Sequence, residues 1–175
     1  DHGFNIGEKE WLFKGSPWEE SCRVPLIIRA PGLSKPGSAV NNIPVSLLDL
    51  YPTLVDLCGL PADNRMNEKG AFLDGHSLRP LIENPDATTW DGPEAALTLI
   101  HNQGAPSTPD AHHFSIRTRD YRYIRYSNGK EELYDHRNDP NEWHNLAGSQ
   151  PEVATRHRKL LKQMITDIED NRNRF

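Results

Sequence analysis

The sequence predicts an α/β fold, and three features of the chain support that prediction. Residues 23–30 form a compact apolar run that ends at Pro31-Gly32, which is typical of a short buried strand. Beyond Pro93 the pattern changes to four short segments of the kind found in strands. The chain then closes with apolar residues at helical spacing. We therefore expect strand and helix units first, followed by a small four-stranded antiparallel sheet packed on a C-terminal helix.

A helix is predicted after the first strand. From Ser46 the apolar spacing becomes helical, and Ser46 and Asp49 have the spacing of a capping box. Pro52 is tolerated in an early turn, and Gly59 is suited to end the helix. The predicted apolar face consists of Leu50, Leu54, Leu57 and Cys58. Residues 61–75 are rich in turn residues and predict an excursion at the surface.

The second half of the chain predicts the antiparallel sheet. The strand candidates are residues 95–100, 114–118, 121–126 and 131–134. Asn128-Gly129 supplies a hairpin turn between the last two strands. Ser149 and Glu152 have the spacing of a second capping box. The helix that follows presents one apolar stripe, which comprises Val153, His157, Leu160, Leu161, Met164 and Ile168. His157 is interpreted as a packing histidine on this inner face.

Composition limits the classes of partner. Lys and Arg number 20 against 25 Asp and Glu, so the net charge of -5 gives no basic footprint for nucleic acid. The alternation of Tyr and Arg over residues 119–126 is therefore interpreted as a half-buried strand. No apolar run approaches the roughly 18 residues of a membrane span. We expect no nucleic-acid partner and no membrane span.

Residues 1–14 concentrate groups that bind cations and anions. Asp1 offers a hard oxygen ligand for a divalent metal, and His2 offers a nitrogen ligand or a proton donor. Lys14 supplies a point charge that can hold an oxyanion, and Gly3 and Gly7 allow the backbone to turn tightly. This combination predicts an anion site around a cation. In isolation, Asp1-His2-Gly3 also fits an ordinary turn, and Lys14 a solvated surface lysine.

The order of the motifs resembles one known family. The motifs are Asp1-His2-Gly3, Ile6-Gly7-Glu8, Trp11, Lys14, Trp18-Glu19-Glu20-Ser21, Arg23-Val24-Pro25-Leu26-Ile27-Ile28, Ser46-Leu47-Leu48-Asp49-Leu50-Tyr51-Pro52-Thr53-Leu54, Asp74-Gly75-His76-Ser77-Leu78, Ser115-Ile116-Arg117-Thr118, Glu132-Leu133-Tyr134-Asp135 and Asp139-Pro140-Asn141-Glu142. Together they are similar to the C-terminal part of type I sulfatases in the alkaline phosphatase superfamily. The His that follows the first Asp resembles the iduronate-2-sulfatase-like group.

The resemblance implies a fold, a reaction and roles for residues. It implies an alkaline-phosphatase-like α/β enzyme, in which residues 1–92 form the C-terminal portion of the catalytic domain and residues 93–175 the antiparallel subdomain with its terminal helix. It implies a sulfuric ester hydrolase that acts on a sulfated carbohydrate through one calcium ion and a formylglycine nucleophile. Asp1 would then ligate calcium, and His2 would be a second ligand or contact the sulfate. Lys14 would stabilise charge on the sulfuryl oxygens.

The nucleophile motif of this family is absent from the sequence. Formylglycine is made from the Cys or Ser of Cys/Ser-x-Pro-x-Arg, whereas Cys22 and Cys58 are each followed by a proline one position too late. We therefore expect this chain to be the C-terminal part of a larger enzyme, whose N-terminal part supplies the nucleophile and further ligands. The absence of an Asn-x-Ser/Thr sequon favours a bacterial, periplasmic or secreted protein over a lysosomal glycoprotein.

Three histidines surround a loop in the predicted antiparallel subdomain. His101, His112 and His113 flank the loop 102–111, and related enzymes have this subdomain beside the mouth of the active site. The loop therefore either contacts substrate or is exposed to solvent.

Two other functions remain as rivals. The first rival is a phosphodiesterase or phosphonate monoester hydrolase of the same superfamily, since sulfuryl and phosphoryl oxyanions are both tetrahedral. The second rival is a non-catalytic binding fragment.

Overall fold

The computed structural model describes residues 4–35, 37, 41–63 and 65–172. These residues divide into two compact units. The first combines the described residues of 1–26 with residues 96–165, and the second combines those of 27–95 with residues 166–172. None of the helices among the described residues has both the length and the apolar character that crossing a membrane requires.

The first unit contains a four-stranded antiparallel sheet in the order β1-β2-β3-β4. The strands are β1 (Ala96–Ile100), β2 (His113–Arg117), β3 (Tyr121–Arg125) and β4 (Glu131–Asp135). All four predicted strands are confirmed to within about one residue at each end, which is the normal uncertainty of such boundaries. The turn between β3 and β4 is also confirmed, because Gly129 has a positive φ of 81 and its N–H donates to the carbonyl of Tyr126 at 3.0 Å.

One face of this sheet packs on the long C-terminal helix α4 (Pro151–Arg172). Cross-strand register places Tyr123 opposite both Ile116 and Leu133, and all three side chains are fully buried. The ring of His157 lies 6.4 Å from that of Tyr123, and Leu161 is also buried. The predicted helix on the sheet is therefore confirmed, and no residue of its predicted apolar stripe is exposed. The helix begins at Pro151, so Ser149 precedes the cap position.

The opposite face of the sheet carries Arg117, Arg122 and Tyr134, which the register places side by side. Because side chains alternate along a strand, these residues point away from α4. Residues of the first segment of the chain contact this face. They include Pro17, whose carbonyl accepts from Arg122, and the short helix α1 (Glu19–Cys22). The sheet is thus covered on both faces, and only the α4 side was predicted.

The structure differs from the prediction at residues 23–30, which form no strand. Leu26 and Ile27 are exposed in this segment. A strand requires a neighbouring backbone that offers N–H and C=O groups, and none of the described segments pairs with residues 23–30. The predicted buried strand is therefore wrong for the described residues, because an apolar composition does not by itself supply a partner strand.

The second unit contains a 3₁₀ turn (Leu47–Asp49), α2 (Leu50–Leu57) and α3 (Arg79–Glu83). The predicted capping box is confirmed: the N–H of Ser46 donates to Oδ2 of Asp49 at 2.7 Å. Gly59 follows the helix with a φ of 62, as expected for a C-terminal glycine. The predicted apolar face is wrong in part. Thr53 and Val55 are the buried residues of α2, whereas Leu54 and Cys58 are exposed.

Candidate active site

The predicted catalytic lysine lies on a loop near the start of the chain. Residues 4–18, here called the Lys14 loop, lead into α1 and belong to the same unit as the sheet. The side chain of Lys14 is exposed. Asp1 and His2, the predicted calcium ligands, lie outside the described residues. Their roles therefore stay predictions.

A buried asparagine closes the Lys14 loop. Nδ2 of Asn5 lies 3.1 Å from the carbonyl of Phe13, 3.0 Å from Oγ of Ser16 and 2.8 Å from Oγ of Ser21. Asn5 is only 1% exposed, so these contacts replace water around its amide. Lys14 lies between two of these partners along the chain and is held in place through them. This role of Asn5 was not predicted from the sequence, because its hydrogen-bond partners become neighbours only once the loop is closed.

Glycine and tryptophan shape the loop around the lysine. Gly7 and Gly15 have φ values of 126 and 79, which glycine adopts readily and other residues do not. The indole Nε1 of Trp11 donates to the carbonyl of Lys14 at 3.4 Å. Trp11 therefore supports the loop backbone, although 43% of it remains exposed.

Beneath the loop, Arg122 of β3 is buried between two carboxylates. Its guanidinium donates to Glu19 at the start of α1, and its Nε lies 2.7 Å from Oε1 of Glu142. Nη1 also donates to Oγ of Ser115 at 2.6 Å and to the carbonyl of Pro17 at 3.2 Å. Arg122 is 2% exposed and Glu142 1%. These contacts fasten α1 and the end of the Lys14 loop to the sheet.

The buried ion pair sets the charge state of its members. Burial by itself raises the pKa of Glu19, but the charge and hydrogen bond of Arg122 outweigh it and hold the pKa below its ordinary value. Burial lowers the pKa of Arg122, whereas the charges of Glu142 and Glu19 raise it, so that the guanidinium pKa lies above its ordinary value. Each partner therefore stabilises the charged form of the other.

The two carboxylates that pair with Arg122 also lie close to a histidine, so their side-chain atoms were considered as possible metal ligands. Among the described residues, possible ligand atoms of Glu19, His136 and Glu142 all lie within 4.8 Å of one another. Nε2 of His136 lies 2.8 Å from Oε1 of Glu142, and Arg122 pairs with both carboxylates. A metal ion would have to displace a buried permanent cation, which the chemistry of the cluster disfavours. The predicted calcium site therefore continues to rest on Asp1 and His2.

The three predicted substrate histidines fall into two places. His101 and His112 stack with their ring centroids 4.6 Å apart at the two ends of the loop 102–111. Nδ1 of His112 accepts from the backbone N–H of Asn102 at 3.3 Å. His113 is instead the first residue of β2, and its Nδ1 accepts from the N–H of Ser127, in the turn after β3, at 3.0 Å. In both rings the neutral form therefore carries its proton on Nε2.

Arg125 of β3 ties the loop between these histidines to the sheet. Its Nη1 donates to Oδ1 of Asp110 at 2.7 Å, and its Nη2 to the carbonyl of Pro109 at 2.9 Å. His112 is buried beside this loop, whereas His101 is exposed. The loop is therefore a supported surface feature, and its contact with substrate stays a prediction.

Known proteins of the same fold identify the class to which the chain belongs. The family described as N-sulphoglucosamine sulphohydrolase, C-terminal, matches residues 7–172. An N-acetylglucosamine-6-O-sulfatase of Bacteroides thetaiotaomicron is 34% identical over 164 residues, which cover 93% of this chain and 28% of that protein. The chain belongs to the sulfatase family and corresponds to its C-terminal part.

Two solved structures share the fold. A protein in complex with its substrate, D-glucosamine-2-N,6-O-disulfate, aligns with a TM-score of 0.72 and 29% identity over 98% of this chain and 33% of that one. A phosphonate monoester hydrolase from Silicibacter pomeroyi aligns with a TM-score of 0.68 and 25% identity, over 97% and 33% of the two chains. The predicted α/β fold class is confirmed. The chain spans 28% to 33% of the length of these three proteins.

Proposed function

We propose that the protein to which this chain belongs is a sulfuric ester hydrolase that acts on a sulfated carbohydrate. The observation that carries the proposal is the placement of Lys14, whose side chain is exposed on a loop closed by the buried Asn5. A preorganised loop loses little freedom when an oxyanion binds to it. The activity named for the N-acetylglucosamine-6-O-sulfatase, and the disulfated glucosamine bound to the structural neighbour, support a sulfated sugar as substrate.

In this proposal Lys14 acts on the sulfuryl group. Its ammonium donates hydrogen bonds to the non-bridging oxygens and stabilises the negative charge that they carry while the bond to the leaving oxygen breaks. One preorganised donor of this kind is worth about 3 to 4 kcal/mol of transition-state stabilisation. His2 shares this task if it contacts the sulfate, and otherwise it is a metal ligand.

The proposal includes one calcium ion and a formylglycine that lies outside this chain. Asp1 would provide the carboxylate oxygen that calcium prefers, and the bound ion would polarise the sulfuryl oxygens as a Lewis acid. Residues 1–92 would form part of the catalytic domain, and residues 93–175 the subdomain beside it. We place the protein in the periplasm or outside the cell.

An assay of the full-length protein on four compounds tests the proposal. N-acetylglucosamine 6-sulfate, an aryl sulfate, an aryl phosphodiester and a phosphonate monoester are compared by kcat/KM, with the released anion quantified. We expect the highest kcat/KM for a sulfate ester, loss of turnover with a chelator, and recovery with calcium. Mass spectrometry of the tryptic peptides checks for formylglycine.

The rival functions predict other outcomes of the same assay. A higher kcat/KM for the phosphonate monoester would contradict the sulfatase proposal and favour the activity named for the Silicibacter pomeroyi protein, whose fold this chain shares. Binding of the sulfated sugar without any turnover would favour a non-catalytic binding protein.

A further inference from the structure

A second lysine of the Lys14 loop is enclosed by aromatic rings. Nζ of Lys9 lies 4.3 Å from the ring centroid of Tyr134 and 5.1 Å from that of Trp18. It donates to the hydroxyl of Tyr134 at 3.0 Å and to the backbone carbonyl of Glu142. Lys9 is half-buried, and its ammonium has exchanged part of its water for the faces of rings and for oxygen acceptors.

Glu132 of β4 completes this arrangement. Its Oε2 accepts from the hydroxyl of Tyr134 at 2.8 Å and from the indole Nε1 of Trp18 at 2.9 Å. Lys9 and Trp18 lie on either side of Lys14 in the sequence, and both are fastened to residues of the same strand. β4 therefore holds the two ends of the segment that presents Lys14.

The backbone at the contact is strained. Lys9 has a φ of 54, Glu10 of 61 and Glu142 of 59, and all three are non-glycine residues in the left-handed region. Such conformations persist where surrounding contacts fix them. Lys9 and Glu142 bond directly to each other, and Glu142 is itself fixed by its pair with Arg122. The strain is therefore located where the loop joins the sheet.

The electrostatics agree with this geometry. Burial lowers the pKa of Lys9, although the nearby charges of Glu132, Glu142 and Asp139 act to raise it. The ammonium of Lys9 is directed at Tyr134 and Glu142, whereas the side chain of Lys14 is exposed. The two lysines of the loop thus have different tasks.

We propose that Lys9 is a positioning residue for sulfate ester hydrolysis, because it joins the Lys14 loop to Tyr134 and Glu142 and so fixes the place at which Lys14 meets the sulfuryl group. The inference rests on the proposed function. Lys9 acts through Lys14 and does not touch the substrate.

A double-mutant cycle on the full-length enzyme tests this inference. Lys9→Met, Lys14→Ala and the double variant are assayed for kcat and KM on an aryl sulfate, with thermal unfolding recorded for each preparation. We expect Lys9→Met to lower kcat by about 10- to 100-fold, as small misplacements of catalytic groups do, and to have no further effect once Lys14 is alanine. Lys9→Arg should recover most of kcat, since a guanidinium also donates and lies over aromatic rings. Lys159→Met, at an exposed position of α4, should leave kcat unchanged.

Three results would overturn the inference: an unchanged kcat in Lys9→Met, an equal loss of kcat with and without Lys14, or no recovery in Lys9→Arg. If Lys9→Met fails to fold, Tyr134→Phe replaces it, because this variant keeps the ring and removes only the hydroxyl that links Lys9 to Glu132. We then expect a smaller loss of kcat that again depends on Lys14, and a loss independent of Lys14 overturns the inference.

A second measurement separates this inference from the proposed function. Amide hydrogen exchange over residues 4–18 should become faster in Lys9→Met, whether or not the enzyme turns over the chosen ester. A wild-type enzyme without turnover of any sulfate ester would contradict the proposed function. Unchanged exchange in Lys9→Met would contradict the anchoring of the loop by Lys9.

Discussion

Arg122 holds one covered face of the sheet through buried charges. Its replacement by Met would leave the carboxylates of Glu19 and Glu142 without the guanidinium that pairs with both. Removing one member of a buried ion pair costs about 3 to 5 kcal/mol, so we expect the free energy of unfolding of the full-length protein to fall by that amount. Chemical denaturation measures it. Arg119→Met, at an exposed turn, is the matched control and should stay within about 0.5 kcal/mol of wild type; equal effects of the two changes would contradict the structural role of Arg122.

Glu19 makes this part of the stability depend on pH. Its pKa lies below the ordinary 4.5 in the folded protein, because Arg122 outweighs the effect of burial. The unfolded chain therefore takes up the proton first as pH falls, and the stabilisation is present above about pH 4.5 and lost below it. We expect the difference in Tm between wild type and Glu19→Gln to be large at pH 7 and to narrow as the pH is lowered through 4. A difference that stays constant with pH would show that Glu19 is not charged in the folded state.

Single residues differ in how far the sequence predicts them. His157 was predicted as a packing histidine because it falls on a helical stripe, and it lies buried with Nδ1 2.8 Å from the carbonyl of Val153. Arg122 was not recognised as buried, because its partner Glu19 is 103 residues away in the sequence. The buried position of Asn5 was not predicted for a similar reason, since its hydrogen-bond acceptors become neighbours only when the loop closes. A buried polar residue is identified by its partners, and these are not local.

At the scale of elements, the hairpin between β3 and β4 depends on the backbone of Gly129. Its φ is 81, and a Cβ there would meet no atom within 4 Å, so any cost of Gly129→Ala comes from backbone conformation alone. An L-residue in this region costs about 1 to 2 kcal/mol. Chemical denaturation of the full-length protein should show a decrease of that size in the free energy of unfolding of Gly129→Ala. Gly148→Ala is the control, since it also has open space but no positive φ, and a loss equal to that of Gly129→Ala would contradict this explanation.

The helices and strands that were predicted correctly are those whose sequence patterns depend on residues close together in the chain. The Asn128-Gly129 turn and the alternating strands placed the antiparallel sheet, because β2, β3 and β4 are joined by short connections. Residues 23–30 carry the right composition for a strand, but strand pairing is not local and composition does not supply a partner. On α2, Thr53 took an inner position expected for an apolar residue, since its Oγ1 donates to the carbonyl of Asp49 and accepts from the N–H of Leu78.

At the scale of the whole molecule, exposed apolar side chains predict how the chain behaves alone. Ile27 is 91% exposed, Leu48 59% and Leu54 57%. Clusters of such residues promote association in isolated fragments. We expect residues 1–175, expressed alone, to unfold without cooperativity and to have no sulfate ester turnover, because the sequence contains no Cys/Ser-x-Pro-x-Arg. Calorimetry, light scattering and an aryl sulfate assay check this; a monomeric, cooperatively folded and active fragment would contradict both parts.

The most direct test of the proposed function is the removal of the Lys14 ammonium. In the full-length enzyme, Lys14→Ala should lower kcat by about 100- to 1,000-fold, as the loss of one transition-state donor does, while Tm stays close to that of wild type because the side chain is exposed. Lys159→Ala, at an exposed position on α4, should change neither quantity. An unchanged kcat in Lys14→Ala, or a loss of activity that accompanies a loss of folding, would contradict the role of Lys14 in sulfate ester hydrolysis.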